Sequence, residues 1–242
     1  MSAGRPRATW AALVAISTAL VCAATMAIKI DIVATRGYFN LGETMVYTVS
    51  LLFGPLVGAI AGGVGSAIAD VLLAAPIYAP ATLVIKGAEG FVVGFLAKRR
   101  AKLSGRAWTS MTVLAAFVSG SLLGSIGAHY YSGEAHLAIG PASASIYVPT
   151  CLWVCLGVAV SVLVVSLGLS TEPEVGWLVV AVLLGGLIMV FGYLAYESLL
   201  FGLPVALTEV PFNVGQMVVG LAVAMPLTRA VERRAPQLVG RA

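Results

Sequence analysis

The sequence predicts an all-α polytopic membrane protein, and three observations carry that reading. Of 242 residues, 60% are hydrophobic and only 10% charged, against roughly 25% charge in a soluble globular domain. The apolar residues gather in long runs, several of them close to the twenty or so residues that cross a bilayer core. Basic residues flank these runs and form no aromatic-interleaved stripe, so the net charge of +4 reads as a topology signal and not as a nucleic-acid footprint. Such a chain cannot cover a surface with polar groups, which excludes a cytosolic enzyme. The three cysteines, Cys22, Cys151 and Cys155, lie inside apolar runs and provide no disulfide framework.

The first run, about 8–28, follows Arg5 and Arg7 as a secretory signal would, but it is too long for a signal's apolar core and is read as a spanning helix. Further runs cover roughly 38–53, 55–75, 81–97, 109–131, 145–169, 177–200 and 208–228. The stretch 43–75 is either one helix kinked at Gly54-Pro55 or two passes joined there by a tight turn, with Pro55 at a first helical position. Counting two passes puts Arg5, Arg7, Lys98, Arg99, Arg100, Lys102, Arg106, Arg229, Arg233, Arg234 and Arg241 on one side, leaving Lys29 and Arg36 on the other. The positive-inside rule therefore selects eight transmembrane helices with both termini cytoplasmic.

On this topology Glu43, Asp70, Lys86, Glu89, Glu197 and Glu209 all fall in the outer half of the membrane. Each costs about 2.5–3.5 kcal/mol on insertion scales, so a shared depth on five helices points to a site. Taken singly, Asp70 and Glu209 fit snorkelling or an interhelical hydrogen bond equally well. Lys86 and Glu89, spaced i,i+3, can pair on one helix face and hold a polar cavity open. Tyr38, Phe39, Asn40, Tyr47, Tyr78, Tyr193, Tyr196, Asn213 and Gln216 join that layer. Aromatic faces with a few convergent amides and carboxylates suit a flat heterocycle, whereas Tyr130 and Tyr131 read as interfacial belt residues. Five carboxylates against one lysine favour a neutral or cationic ring with donor groups over an anion.

Small residues recur at four-residue spacing in the first helix, at Ala11, Ala15, Ala19, Ala23 and Ala27, and in the third, at Gly54, Gly58, Gly62 and Ser66. Rows of this kind allow close backbone approach in lipid, most often within one chain. Gly87, Gly90 and Gly94 read as internal packing, while the first helix has a long side free for another membrane subunit.

The runs RGYFNLGE (Arg36–Glu43), LLFGPLVGAIAGGVGSAIAD (Leu51–Asp70), YAPATLVIKGAEGFVVGFLAKR (Tyr78–Arg99), GYLAYESLLFG and EVPFNVGQMVVG (within Gly192–Gly220) together resemble the S component of energy-coupling factor (ECF) vitamin transporters. The likeness is strongest to the group that includes riboflavin, pyridoxine and hydroxymethylpyrimidine carriers. It covers about 1–106 and 176–234. The resemblance implies a six-helix substrate-binding subunit that works with a transmembrane T subunit and a pair of cytoplasmic ATPases. It implies contact with the T subunit through Ala11, Ala15 and Ala19, and a site near the outer face formed by Asn40, Glu43, Lys86, Glu89, Tyr193, Glu197, Asn213 and Gln216. Helices 1–4 of that frame take residues 1–106, helices 5–6 take 176–234, and 235–242 form a cytoplasmic tail.

Residues 107–175 depart from the pattern and read as an inserted transmembrane hairpin, whose external loop holds His129, Glu134 and His136. Without a third convincing ligand these are solvated loop residues and not a metal site. Metal-carrying members of the family resemble a pattern with histidine beside the initiator methionine, where this chain has Ser2. No cofactor is expected. No Gly-x-x-x-x-Gly-Lys-Ser/Thr run occurs, so ATP hydrolysis falls to partner subunits. The leading expectation is a vitamin-binding subunit of an importer in the plasma membrane, its ligand entering under a closing 29–42 loop. The alternative is a self-sufficient proton-coupled secondary transporter using Asp70, Glu89, Glu197 or Glu209. An intramembrane enzyme lacks a His-Glu-x-x-His helix or any Ser/His pair within the bundle.

Overall fold

The computed structural model describes residues 7–32, 35–99, 104–139, 142–170 and 172–239. The helices are α1 (Arg7–Ala27), α2 (Gly42–Phe53), α3 (Pro55–Leu72), α4 (Ala79–Arg99), α5 (Gly105–Tyr130), α6 (Thr150–Leu169), α7 (Pro173–Phe201), α8 (Leu203–Ala206), α9 (Val210–Arg234) and α10 (Pro236–Val239). Two antiparallel hairpins join them: β1 (Lys29–Ile32) with β2 (Gly37–Asn40), and β3 (Gly133–Ile139) with β4 (Ala142–Val148). Arg5, Arg100, Lys102 and Arg241 of the basic clusters lie outside the described residues.

Gly54 separates α2 from α3. Its φ of 88° is a conformation L side chains rarely adopt, so α2 stops there, and Pro55 opens α3 at a position where its missing N–H costs nothing. The 43–75 stretch is therefore two helices. Among the described residues, six helical segments are long and apolar enough to cross a membrane: α1, α3, α4, α5, α7 from Glu174, and Leu203–Arg234. The chain is thus a multi-pass membrane protein with an all-α frame. The apolar part of α6 is shorter, Thr150–Ser166, and the expected span at 38–53 differs from the sequence reading. Its first residues pair as β2, and the 12 residues of α2 reach only about 18 Å at 1.5 Å per residue.

The chain divides into two units, Met1–Arg100 with Trp177–Ala242, and Ala101–Gly176. In the first, Val21, Val46, Tyr47, Val49, Val57, Ala61, Val93, Val182 and Ala224 form a core shared by α1, α2, α3, α4, α7 and α9. The glycine rows lock α3 against α4: a Cβ on Gly58 would lie 2.7 Å from the Gly90 carbonyl oxygen, and one on Gly62 2.8 Å from the Lys86 carbonyl oxygen. Gly90→Val drives a branched side chain into that backbone contact. It is expected to cost about 1–3 kcal/mol through overpacking, read as a lower midpoint of thermal unfolding in detergent. On α1 the buried residues are Ser17, Val21 and Thr25, while Ala11, Ala15 and Ala19 lie on the exposed side.

In the second unit α5 packs on α6. The Trp108 indole donates to the Gly168 carbonyl at 2.7 Å, the Trp153 indole to the Tyr131 carbonyl at 3.1 Å, and the Ser161 hydroxyl to the Ala116 carbonyl at 2.9 Å. The expected loop is largely the β3–β4 hairpin. His129 lies in the last turn of α5 with its ring edge-on to Tyr130. Glu134 and His136 lie on β3 opposite Tyr147 and Ser145, and their side chains are outside the described residues. Among the described residues no three His, Cys, Asp or Glu side chains converge as a metal site would require.

Candidate functional site

Within the first unit the β1–β2 hairpin and helices α1, α3, α4, α7 and α9 surround a small cavity of about 40 Å³, room for a few water molecules with the hairpin in this position. Among the described residues fourteen line it, most of them polar, and they include Tyr38, Asp70, Lys86, Tyr193, Glu197, Glu209, Asn213 and Gln216. The six ionisable residues expected at one depth are all buried: Glu43, Asp70, Lys86, Glu89, Glu197 and Glu209 are each 5% exposed or less. Groups this costly to dehydrate persist only where partners or a ligand satisfy them.

Lys86 on α4 is the hub of one cluster. Its ammonium pairs with Glu43 of α2 and, at 3.3 Å, with Glu89 one turn along its own helix. Glu89 also accepts a 2.8 Å hydrogen bond from Tyr47, and the Lys86 ammonium stands 5.7 Å from the centre of the Tyr193 ring. The i,i+3 spacing of Lys86 and Glu89 shows in the sequence, but the pairing to Glu43 does not, because it depends on how α2 lies against α4. Neither Glu43 nor Glu89 is among the cavity-lining residues. Both stand behind Lys86 and fix its position.

A second cluster lies under the hairpin. The Tyr38 hydroxyl donates to Asp70 at 2.5 Å, the Tyr78 hydroxyl to the Thr35 carbonyl at 2.8 Å, and Thr82 shares a 2.8 Å hydrogen bond with Tyr193. Burial, followed by the charge of Asp70, pushes the Tyr38 phenol well above its usual range. Burial, followed by Glu209 and Glu197, does the same for Tyr78. Both phenols therefore stay protonated at physiological pH and act as donors. Asn40 ties this cover down at its α2 end: its backbone N–H donates to Gln216 at 3.2 Å, and its side-chain oxygen accepts from Gly42 N–H at 2.7 Å, where α2 begins. Tyr38→Phe leaves Asp70 without this donor and unfastens the hairpin from α3. Ligand affinity is expected to fall by about 1–3 kcal/mol, the usual cost of a buried group left unsatisfied, measured by titration calorimetry.

The third cluster joins α7 to α9. Glu209, Asn213 and Gln216 recur at i, i+4 and i+7, which sets them on one face of α9. Gln216 donates to the Asn213 side-chain oxygen at 3.1 Å. The Glu197 carboxyl of α7 meets that of Glu209, and the Thr35 side chain also hydrogen-bonds Glu209. Gly37 of β2 lies directly on the Glu209 carboxyl, so close that a Cβ there would collide with it.

Of the eight residues named from the sequence, the structure brings Asn40, Lys86, Tyr193, Glu197, Asn213 and Gln216 to the cavity wall and sets Glu43 and Glu89 behind it. Sequence reasoning missed Thr25, Gly37, Ser66 and Thr82, which also line it. Small hydroxyl residues on apolar helices are too common to single out, although Thr25 and Ser66 stand at four-residue spacing from Val21 and Gly62 on buried faces.

Comparison with known proteins completes the description. The model of the family "ECF-type riboflavin transporter, S component" matches residues 8–136, from α1 through α5 into β3, and so runs past residue 106. An uncharacterized protein in a gap 3′ region of Pyrococcus woesei is 55% identical over 74 residues, 31% of this chain and 49% of that protein. The chain thus spans about half the length of this curated relative.

Proposed function

The chain belongs to the family of ECF-type riboflavin transporter S components, and from that premise we propose that it captures a small heterocyclic vitamin or vitamin precursor at the outer face of the plasma membrane. It hands that ligand on together with a T subunit and a pair of cytoplasmic ATPases. S components are substrate-binding transporter subunits and not enzymes, and this sequence has no phosphate-binding loop of its own.

The cavity beneath the β1–β2 hairpin carries this reading. It combines aromatic walls (Tyr38, Tyr78, Tyr193), amides (Asn213, Gln216) and buried charges, the combination that fixes a flat polar ring. The ligand contacts are Asn40, Lys86, Tyr193, Glu197, Asn213 and Gln216, with Glu43 and Glu89 holding Lys86. The hairpin opens to admit the ligand and closes over it through Tyr38, Thr35 and Asn40. Ala11, Ala15 and Ala19, exposed on α1, dock on the T subunit. The membrane topology of this reading keeps eight passages with α2 as a short one, both termini cytoplasmic, and residues 107–175 as an inserted hairpin.

Native mass spectrometry of the detergent-purified chain, followed by denaturation and identification of any released small molecule, tests the reading. A heterocyclic vitamin or precursor bound one to one is the expected result. An empty protein that by itself drives uptake into vesicles on a pH gradient would replace the reading with a proton-coupled secondary transporter.

A further inference from the structure

Glu197 and Glu209 face each other inside the cavity from different helices, 1% and 3% exposed. Among the described residues no amide, hydroxyl or cationic donor reaches either oxygen of Glu197, or Oε2 of Glu209. Lys86, the buried cation of the cavity wall, is already engaged by Glu43 and Glu89. Two carboxylates in contact away from water need a proton or a positive partner between them. A second, independent observation points the same way. Asn213, 3% exposed, lines the cavity; its side-chain oxygen is occupied by Gln216, while its amide nitrogen has no acceptor among the described residues. The α7–α9 wall therefore offers two acceptor groups beside one donor.

Resting on the carrier reading above, we propose that this wall recognises a nitrogen heterocycle with an amidine edge, the aminopyrimidine class. The exocyclic amino group donates to the Glu197–Glu209 pair, and the adjacent ring nitrogen accepts from the Asn213 amide. Protonation at the other ring nitrogen, conjugated with the amino group, puts positive charge on that amino donor against the paired carboxylates and leaves the adjacent nitrogen an acceptor, which a neutral imide edge cannot do. An imide also presents carbonyl oxygens on both sides of its single N–H, and these meet carboxylate oxygens instead of donors. A phosphorylated ligand is repelled by the same pair.

Titration calorimetry on the full chain in detergent decides the matter with three probes: 4-amino-5-hydroxymethyl-2-methylpyrimidine, its counterpart without the 4-amino group, and riboflavin. The aminopyrimidine is expected to bind at least about 100-fold more tightly than either of the others, because a buried site built for a donor rejects the analogue that lacks it. Glu197→Gln and Glu209→Gln are each expected to weaken its binding at least about tenfold. The comparison among probes uses the unaltered protein, so it stands even if a variant fails to fold. Equal binding of the deamino compound, or unchanged affinity in both folded variants, overturns the proposal. Tight binding of riboflavin overturns it too while leaving the carrier reading intact. Binding of none of the three also overturns it, and the fate of the carrier reading then rests on the vesicle uptake described above.

Discussion

Lys86→Met is expected to destabilise the protein by about 3–5 kcal/mol, the largest stability effect of any single substitution considered. Removing one partner of a buried ion pair leaves an uncompensated charge, and that is the magnitude such removals cost. Here two carboxylates, Glu43 and Glu89, lose their shared cation at once, and only Glu89 keeps another donor, Tyr47. Methionine preserves most of the side-chain length, so the loss is electrostatic and leaves little cavity. The control follows from the same reasoning. Replacing both acids as well, as Lys86→Met/Glu43→Gln/Glu89→Gln, removes every formal charge from the cluster and should recover most of the lost stability, because neutral replacements of a buried ionic group are often tolerated. Thermal unfolding in detergent reads both. A Lys86→Met protein as stable as the parent would mean that the ammonium is not the counter-ion holding α2 to α4.

This cluster also shows where sequence reasoning reaches and where it stops. The cost of charge in an apolar run is local, so Glu43, Lys86, Glu89 and Glu197 stand out from composition alone. The close approach of α3 and α4 is equally legible, since glycines at four-residue spacing have few other uses in lipid. Which charge meets which is not local. Tyr38 reaches Asp70 across 32 positions, and Asn40 reaches Gln216 across 176, distances set by how the helices stack. The hairpins were missed for a related reason. The run from Lys29 to Asn40 is short and mixes Gly, Asn and aromatic residues, and its strand pairing becomes favourable only once α1, α9 and the cavity beneath support it. Taking residues 37–40 into a strand is what shortened the second helix.

Substitution of Ala15 by Trp separates capture from transport, and its expected effect is the largest on function. Ala15 lies on the exposed side of α1, away from the buried Ser17, Val21 and Thr25, so a bulky side chain there stays clear of the face that packs into the first unit's core. Ligand binding by the purified protein should therefore be unchanged, as should its unfolding temperature. In lipid, helices associate by close packing of small residues and not by expelling water, so one indole on the Ala11, Ala15, Ala19 face holds a partner helix off along its length. Vitamin uptake by cells carrying the T subunit and ATPases should then fall to background, and the chain should no longer co-purify with them. Leu20, exposed and off the alanine row on the same helix, gives the comparison: Leu20→Trp keeps an apolar residue toward lipid and should transport normally. If Ala15→Trp transports as well as Leu20→Trp, the docking face of α1 is not the alanine row. Loss of ligand binding in Ala15→Trp would instead tie that row to the internal packing of α1 with α3.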